Sequence, residues 1–413
     1  MSQLKLKEEN NVVGANLRFA QLRDATISFW VDSSGGPGNL CNNSFYGVSP
    51  KYYIYGSLNE IKMQDCESGA ITFTNEHCFD FLEEKLSEEK HNSQGVFVGY
   101  ISYNLFESSK KNNYPDFFFA YFDTTELMSQ QANEPMSLRT NELKLSSNMT
   151  DAEYLEKVKQ IKVEIKAGNV YQANLTREYS TELGNIDDLE LYLKLRSASP
   201  NPYGCFFKTP FVSILSSSPE EFLYADLKKG YIRTRPIKGT LSKDVFEVDP
   251  KNQAENIMIV DLERNDLGRI CEYGSVKASK LLDVESYEHL NHVVSTVEGK
   301  LKQEVKLKEI FEAVFPGGSV TGAPKIAAMK IINKIEPTAR GAYTGCFGFI
   351  KTDGTMNFNI LIRTIFLYGD KLVFNVGGGI VADSDPQGEL EEVRLKAKGI
   401  LKAINAENHF LVV

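Results

Sequence analysis

Apolar positions recur along this chain at two spacings, and each predicts a different element. After residue 149, Tyr154, Val158, Ile161 and Ile165 fall on one face of a helix. Thr150 with Glu153 three positions later forms a capping box at its start, and Gly168-Asn169 suits its end. Further on the spacing becomes that of strands. GFIKTDGTMNF places Asp353-Gly354 between two β-rich runs, and MNFNILIRTIFLYGDKLVFNV turns at Gly369-Asp370, so two hairpins are predicted. Strands that follow one another without a helix between them favour antiparallel sheet with helices packed outside, an α+β arrangement.

Loops come from composition. SSGGPGN, around Gly35 to Asn39, reads as a loop. The stretch from Met128 to Ser147 is polar and aperiodic. It reads as a connection, which divides the chain into an N-terminal lobe, 1–147, and a motif-dense region, 148–413.

Composition narrows the function. Of 413 residues, 42% are hydrophobic and 24% charged, which suits a globular enzyme with a sizeable core. The net charge of -9 argues against nucleic acid as a partner. It leaves room for a small anionic substrate, which feels the local field. The N-terminus, MSQLKLKEEN, lacks a signal-peptide core, and no run of 18 apolar residues exists, so no membrane association is expected. The six cysteines are scattered without a CxxC pair, consistent with reduced thiols and a cytoplasmic location.

Five segments carry possible chemistry. In FNVGGGIVADSDPQGELEEVRLKAKGI, a strand ends at Gly377, Gly378 and Gly379, and Asp385-Pro386 starts a helix. Glu389, Glu392 and Lys396 share a face of that helix. Two carboxylates one turn apart can hold a hard cation such as Mg2+; a solvated helix with a Glu392–Lys396 ion pair is the plainer account. Glu220 follows Ser218-Pro219, and Lys238 lies between Pro236 and Gly239, where a constrained turn is expected to aim it. PGGSVTGAPK fails the nucleotide-loop pattern after Gly322, but can form an anion-binding loop opening onto a helix. His289 and His292 could ligate a transition metal if helical, although two separate hydrogen-bonding histidines explain them more simply. Glu255 precedes an apolar run from Ile257 to Val260, and Asp261, Arg264, Asn265 and Asp266 after it fit either catalysis or a network of ion pairs and caps.

In this order, AGNVYQANLTRE, SSSPEEF, TRPIKGT, ENIMIVDLERNDLGR, HVVSTVEG, FPGGSVTGAPK, GAYTGCFGF, LIRT and GGGIVADSDPQGELEE resemble the chorismate-utilising enzymes. The likeness is strong over about residues 148–405. In the N-terminal part it rests mainly on GVFVGYISYNLFE. It implies two large antiparallel β-sheets packed face to face with helices outside, and an active site in a cleft between two lobes. It implies Mg2+ held by Glu255 and Glu392 with Glu389 close by. It also implies substrate contacts from Gln172, Thr240, His292, Thr321, Tyr343, Arg363, Gly377, Gly378 and Lys396. Where some relatives carry an acidic residue three positions before Glu255, this chain has Asn252.

Two positions sort the subfamilies. A lysine at the Gln172 position activates water in the isochorismate and salicylate synthases, and glutamine cannot serve as that base. Anthranilate synthases typically carry alanine where this chain has Lys238, which instead resembles the nucleophile of the aminodeoxychorismate synthases. The reaction so implied has Glu220 protonating the departing C4 hydroxyl of chorismate while Lys238 attacks C2. Ammonia then attacks C4 and expels the lysine, giving 4-amino-4-deoxychorismate for para-aminobenzoate and folate. Lys238 must then titrate below an ordinary lysine and Glu220 above an ordinary glutamate. No glutaminase or fused lyase segment is evident, so a separate glutamine amidotransferase subunit is expected to supply the ammonia. FWVDSSGG matches the family's tryptophan-binding element poorly, so tryptophan feedback is not expected. The alternatives are component I of anthranilate synthase and a non-catalytic regulatory or partner-binding subunit on the same scaffold.

Overall fold

A computed structural model describes residues 18–37, 40, 44–107, 110, 112, 114–127, 143–184, 186–287 and 290–407. Among these, two antiparallel sheets carry the fold. The first runs, side by side, through Gly322–Ala323, Gln172–Glu182, Lys371–Ile380, Thr364–Tyr368, Ser213–Ser218, Tyr203–Lys208, Ser28–Asp32, Phe45–Val48 and Glu126–Leu127. The second runs through Ile237–Ser242, Leu290–Lys300, Tyr231–Arg235, Glu221–Asp226, Thr355–Ile360, Cys346–Lys351, Val96–Ile101, Phe117–Phe122, Tyr52–Gly56, Ile61–Asp65 and Ile71–Thr74. Strands from before and after residue 148 lie side by side in both sheets.

The strand Phe117–Phe122, FFFAYF, shows how the layers form. All six side chains are buried, as expected of a strand covered on both faces. Alternation sends Phe117, Phe119 and Tyr121 to one face and Phe118, Ala120 and Phe122 to the other. Phe118 and its partners meet Phe207, Ile214 and Phe366 of the first sheet, so the two sheets pack face to face. Phe117 and Phe119 face outward, onto the helices Cys78–Glu88, Pro250–Ile270 and Leu307–Val314. The outer face of the first sheet is covered by Asp151–Lys166, Asp188–Ala198, Lys325–Ile335 and Pro386–Ala403. The expected α+β double sheet with outer helices is therefore present.

Local expectations are met in detail. Thr150 and Glu153 form the reciprocal capping box, and Tyr154, Val158 and Ile161 are buried. Both hairpins turn where expected, with Gly354 and Gly369 at φ of 88° and 59°, a region that glycine enters without strain. Asp385 caps the helix Pro386–Ala403, with proline in its first turn.

One expectation changes and two segments gain a definite conformation. Lys238 is in the strand Ile237–Ser242, with a register shift between Ile237 and Thr240, and so sits at a bulge rather than a turn. His292 lies in the strand Leu290–Lys300, so the helical metal pair does not form, and His289 lies outside the described residues. The segment after Pro316 makes a short turn at Gly318–Val320. It then pairs Gly322–Ala323 with the first sheet before the helix at Lys325 begins. Cys41, Asn39 and the stretch 128–142 also lie outside the described residues. The other five cysteines are free thiols. No described helix is long and apolar enough to cross a membrane.

Candidate active site

The short strand Gly322–Ala323 ends the first sheet, and in the second Ile237–Ser242 pairs with Leu290–Lys300. Most of the candidate residues lie on these strands, on their neighbours and on the helix Pro386–Ala403. Strand Lys371–Ile380 passes under helix Pro386–Ala403. At Gly378 an added Cβ would lie 3.4 Å from Glu389 Oε2, 3.7 Å from Glu392 Oε1 and 3.8 Å from Lys396 Nζ. Glycine therefore leaves space beneath three charged groups that converge. Lys396 ion-pairs with Glu392 at 2.6 Å and donates to the Gly377 carbonyl at 3.1 Å. That ion pair is the one the sequence allowed. Glu389 is buried and accepts from the Ser384 hydroxyl at 2.6 Å.

Glu220 is 4% exposed and accepts from the Ile237 N–H at 3.3 Å. Burial raises its pKa, against the lowering effects of Ser319, the Ile237 N–H, Lys238 and Lys396. Lys238 is half-buried and shifts the opposite way. Desolvation lowers its pKa, Lys396 adds to that lowering, and Glu255, Glu220 and Glu392 oppose it. The acid and the amine are thus pushed towards their uncharged forms by the same low-dielectric surroundings. Burial also raises Glu255, which feels Lys238, Lys251, Glu392 and Lys396, and lies 3.9 Å from Lys251. Glu392 is held low, first by Lys396.

His292 is buried, with Nδ1 3.3 Å from the Thr240 hydroxyl and Nε2 without a partner. Burial, with Arg363 and Lys396 nearby, pushes its pKa down to about 3, so the ring is neutral. Arg363 has a φ of 51°. Burial lowers its pKa, while Tyr287 and Glu220 act in the other direction.

Gln172 is fully buried, donates to Asn174 Oδ1 at 2.9 Å, and leaves its own carbonyl oxygen unpaired. Asn174 donates on to the Ser319 carbonyl at 3.1 Å. Thr321 turns its hydroxyl back onto the Gly317 carbonyl, within its own loop. Tyr343 is buried, and buried Tyr154 lies within electrostatic reach of Glu389, Glu392 and Tyr343.

Charge contacts thus join Glu220, Lys238, Glu255, Glu389, Glu392, Lys396, His292 and Arg363 into one site over Gly377 and Gly378. Among the described residues no three His, Cys, Asp or Glu side chains converge to metal-ligating distance. The donor set of Glu255, Glu389 and Glu392 is all carboxylate oxygen, which fits a hard divalent cation, and Glu389 and Glu392 already face one point above Gly378. Sequence reasoning did not single out Asn174, Ser319 or Asn256. Asn174 lies two residues from Gln172 on the same strand face, the signal that could have found it.

A family model described as chorismate binding enzyme matches residues 29–402. The chain belongs to the chorismate-binding enzymes. Among the relatives of this family, the chloroplastic aminodeoxychorismate synthase of Arabidopsis thaliana is 32% identical over 91% of this chain and 50% of its own length. Anthranilate synthase component 1 of Synechocystis is 40% identical over 65% of this chain and 56% of its own length. The chain therefore spans about half the length of these curated relatives. A crystal structure of anthranilate synthase component I from Streptococcus pneumoniae superposes with a TM-score of 0.73 at 25% identity, covering 91% of this chain and 92% of that one. Chorismate-binding enzymes that make different products share this scaffold, so the product has to be argued from individual side chains.

Proposed function

We propose that this chain makes 4-amino-4-deoxychorismate from chorismate and ammonia, with Lys238 as nucleophile and Glu220 as general acid. The opposed shifts of these two groups carry the reading. A lysine attacks carbon as a neutral amine, and a carboxyl group donates a proton only if it still holds one at working pH. Burial drives both the right way.

In this reading Glu220 protonates the departing C4 hydroxyl as Lys238 Nζ bonds to C2. Ammonia next attacks C4 with its lone pair, the ring double bonds shift back, and the Lys238–C2 bond breaks with its electron pair leaving on Nζ, which frees the amine, while the new C4 nitrogen gives up its extra proton. Gln172 lacks a basic nitrogen or carboxylate, so water is not activated for attack at C2. Arg363 suits the planar fork of a substrate carboxylate, and Lys396 offers a point charge to the same anion. Neutral His292, Thr240, Tyr343, Thr321 and the backbone at Gly377 and Gly378 complete the substrate surface. Glu255, Glu389 and Glu392 would hold Mg2+, which when bound supplies positive charge to orient the C1 carboxylate. A separate glutamine amidotransferase subunit in the cytoplasm supplies the ammonia. The name of the Escherichia coli relative, aminodeoxychorismate synthase component 1, supports a multi-component assembly.

The test is to incubate the purified chain with chorismate, Mg2+ and ammonium at alkaline pH, with and without aminodeoxychorismate lyase. Para-aminobenzoate formed only with lyase supports the proposal. Fluorescent anthranilate without lyase replaces it with the anthranilate synthase reading.

A further inference from the structure

The bulge that carries Lys238 is held from below by a buried amide. Strand Ile237–Ser242 pairs Ile237 with Val294 and Thr240 with His292, and slips between them. A bulge of this kind leaves local backbone groups without ladder partners. Asn256, on helix Pro250–Ile270, reaches two backbone carbonyls beside the slip. Its Nδ2 donates to the carbonyl oxygens of Lys238 and of Val293, each at 3.5 Å. Its Oδ1 accepts from the Ser295 hydroxyl at 2.5 Å, and the Ser295 oxygen accepts from the Leu282 N–H at 3.0 Å. Asn256 and Ser295 are 1% and 0% exposed. Ser295 thus fixes which end of the amide faces the bulge. One helical turn earlier, Asn252 packs against Gly239, where an added Cβ would lie 3.2 Å from its Cγ and the φ is +100°.

We infer that Asn256 is a positioning residue for Lys238, fixing the bulge so that the amine is presented to the substrate; this rests on the reading of Lys238 as the nucleophile. Asparagine suits the place because it combines N–H groups for two carbonyls with an oxygen for a hydroxyl. Aspartate has the same shape but would set lone pairs against both carbonyl oxygens. A displacement of about 1 Å at a reacting group can cost on the order of a hundredfold in rate.

The experiment compares wild type with Asn256→Ala, Asn256→Asp and Ser295→Ala, each checked for a cooperative melt. It measures kcat and KM for chorismate with ammonium, and the single-turnover yield of the Lys238 adduct by intact mass without ammonia. Crystal structures of wild type and Asn256→Ala complete the set. Asn256→Ala and Asn256→Asp are expected to lower kcat and adduct formation at least about tenfold, with KM within about twofold. Ser295→Ala is expected to show the same split in smaller measure, and it carries the test if the Asn256 variants do not fold. A kcat within about twofold of wild type in Asn256→Ala overturns the inference, as does full activity in Asn256→Asp, which would make the residue a space-filler. If the wild type forms no adduct, the nucleophile reading fails by itself. The crystal structures then decide the placement: a displaced Lys238 side chain in Asn256→Ala supports it, and an unmoved one overturns it.

Discussion

The Lys396 ammonium lies 2.6 Å from the Glu392 carboxylate, one helical turn away. The two side chains are 39% and 47% exposed. An ion pair that open contributes about 0–1 kcal/mol to stability. The same Nζ also reaches the Gly377 carbonyl across the site, so its position is set from two elements. Lys396→Ala is therefore expected to leave the thermal midpoint nearly unchanged while raising the KM for chorismate about tenfold, the loss of one anion contact. Melting curves beside steady-state kinetics check this. A large drop in midpoint with KM intact would make the lysine structural.

Lys238 tests the electrostatics of the site. Its folded pKa lies below the 10.5 of a free lysine because burial disfavours the charge. Between those two values the unfolded chain binds a proton that the folded chain does not, so wild-type stability rises with pH across that window. Lys238→Met removes the penalty. The variant should be more stable than wild type at neutral pH, with the advantage shrinking as pH approaches 10.5, and should lose on the order of a thousandfold in kcat. Urea unfolding at three pH values, beside the lyase-coupled assay, separates the two effects.

His292 sets an acid limit. With its pKa pushed down to about 3 from 6.5, the folded chain leaves the ring neutral where the unfolded chain protonates it. Stability attributable to this residue is therefore full above about pH 6.5 and falls as pH drops towards about 3. His292→Gln should flatten the acid limb of a stability-against-pH curve. Equal slopes in wild type and variant between pH 4 and 6.5 would show that the ring is not buried neutral.

What the sequence made legible follows from how local each signal is. The capping box at Thr150, the hairpins at Asp353-Gly354 and Gly369-Asp370, and the Asp385-Pro386 start are decided within a few residues. The Glu392–Lys396 pair needs a single helix turn and was legible for that reason. The Lys238 bulge was not, because the slip depends on Leu290–Lys300, a strand some fifty residues away, and proline and glycine around a lysine suit a turn equally well. Asn256 reads as one more polar position on a helix until Lys238 and Val293 are placed over it. The alternation in FFFAYF predicts a strand, but which residues face the other sheet and which face the helices is a property of the assembled layers.

Arg340 ties the loop behind the site to the first sheet, and its removal should unsettle both. Its guanidinium is buried and forks onto Glu336, with Nη2 2.7 Å from Oε1 and Nε 2.9 Å from Oε2. It also donates to the carbonyls of Val320 at 2.8 Å and Asn174 at 3.1 Å, and lies 4.6 Å from the centre of the Tyr103 ring. Glu336 in turn accepts from the Thr176 N–H at 3.0 Å. Arg340→Leu leaves a buried carboxylate without its cation, at a cost of about 3–5 kcal/mol. Because Asn174 carries both Gln172 and Ser319, kcat should fall with stability. The double variant Arg340→Leu with Glu336→Leu removes both charges and should recover part of the loss, since well-packed apolar residues often replace a buried pair at little cost. Urea midpoints for the two single variants and the double variant form the cycle. If the double variant is as unstable as the sum of the singles, the charges act independently and the fork is not what holds the loop.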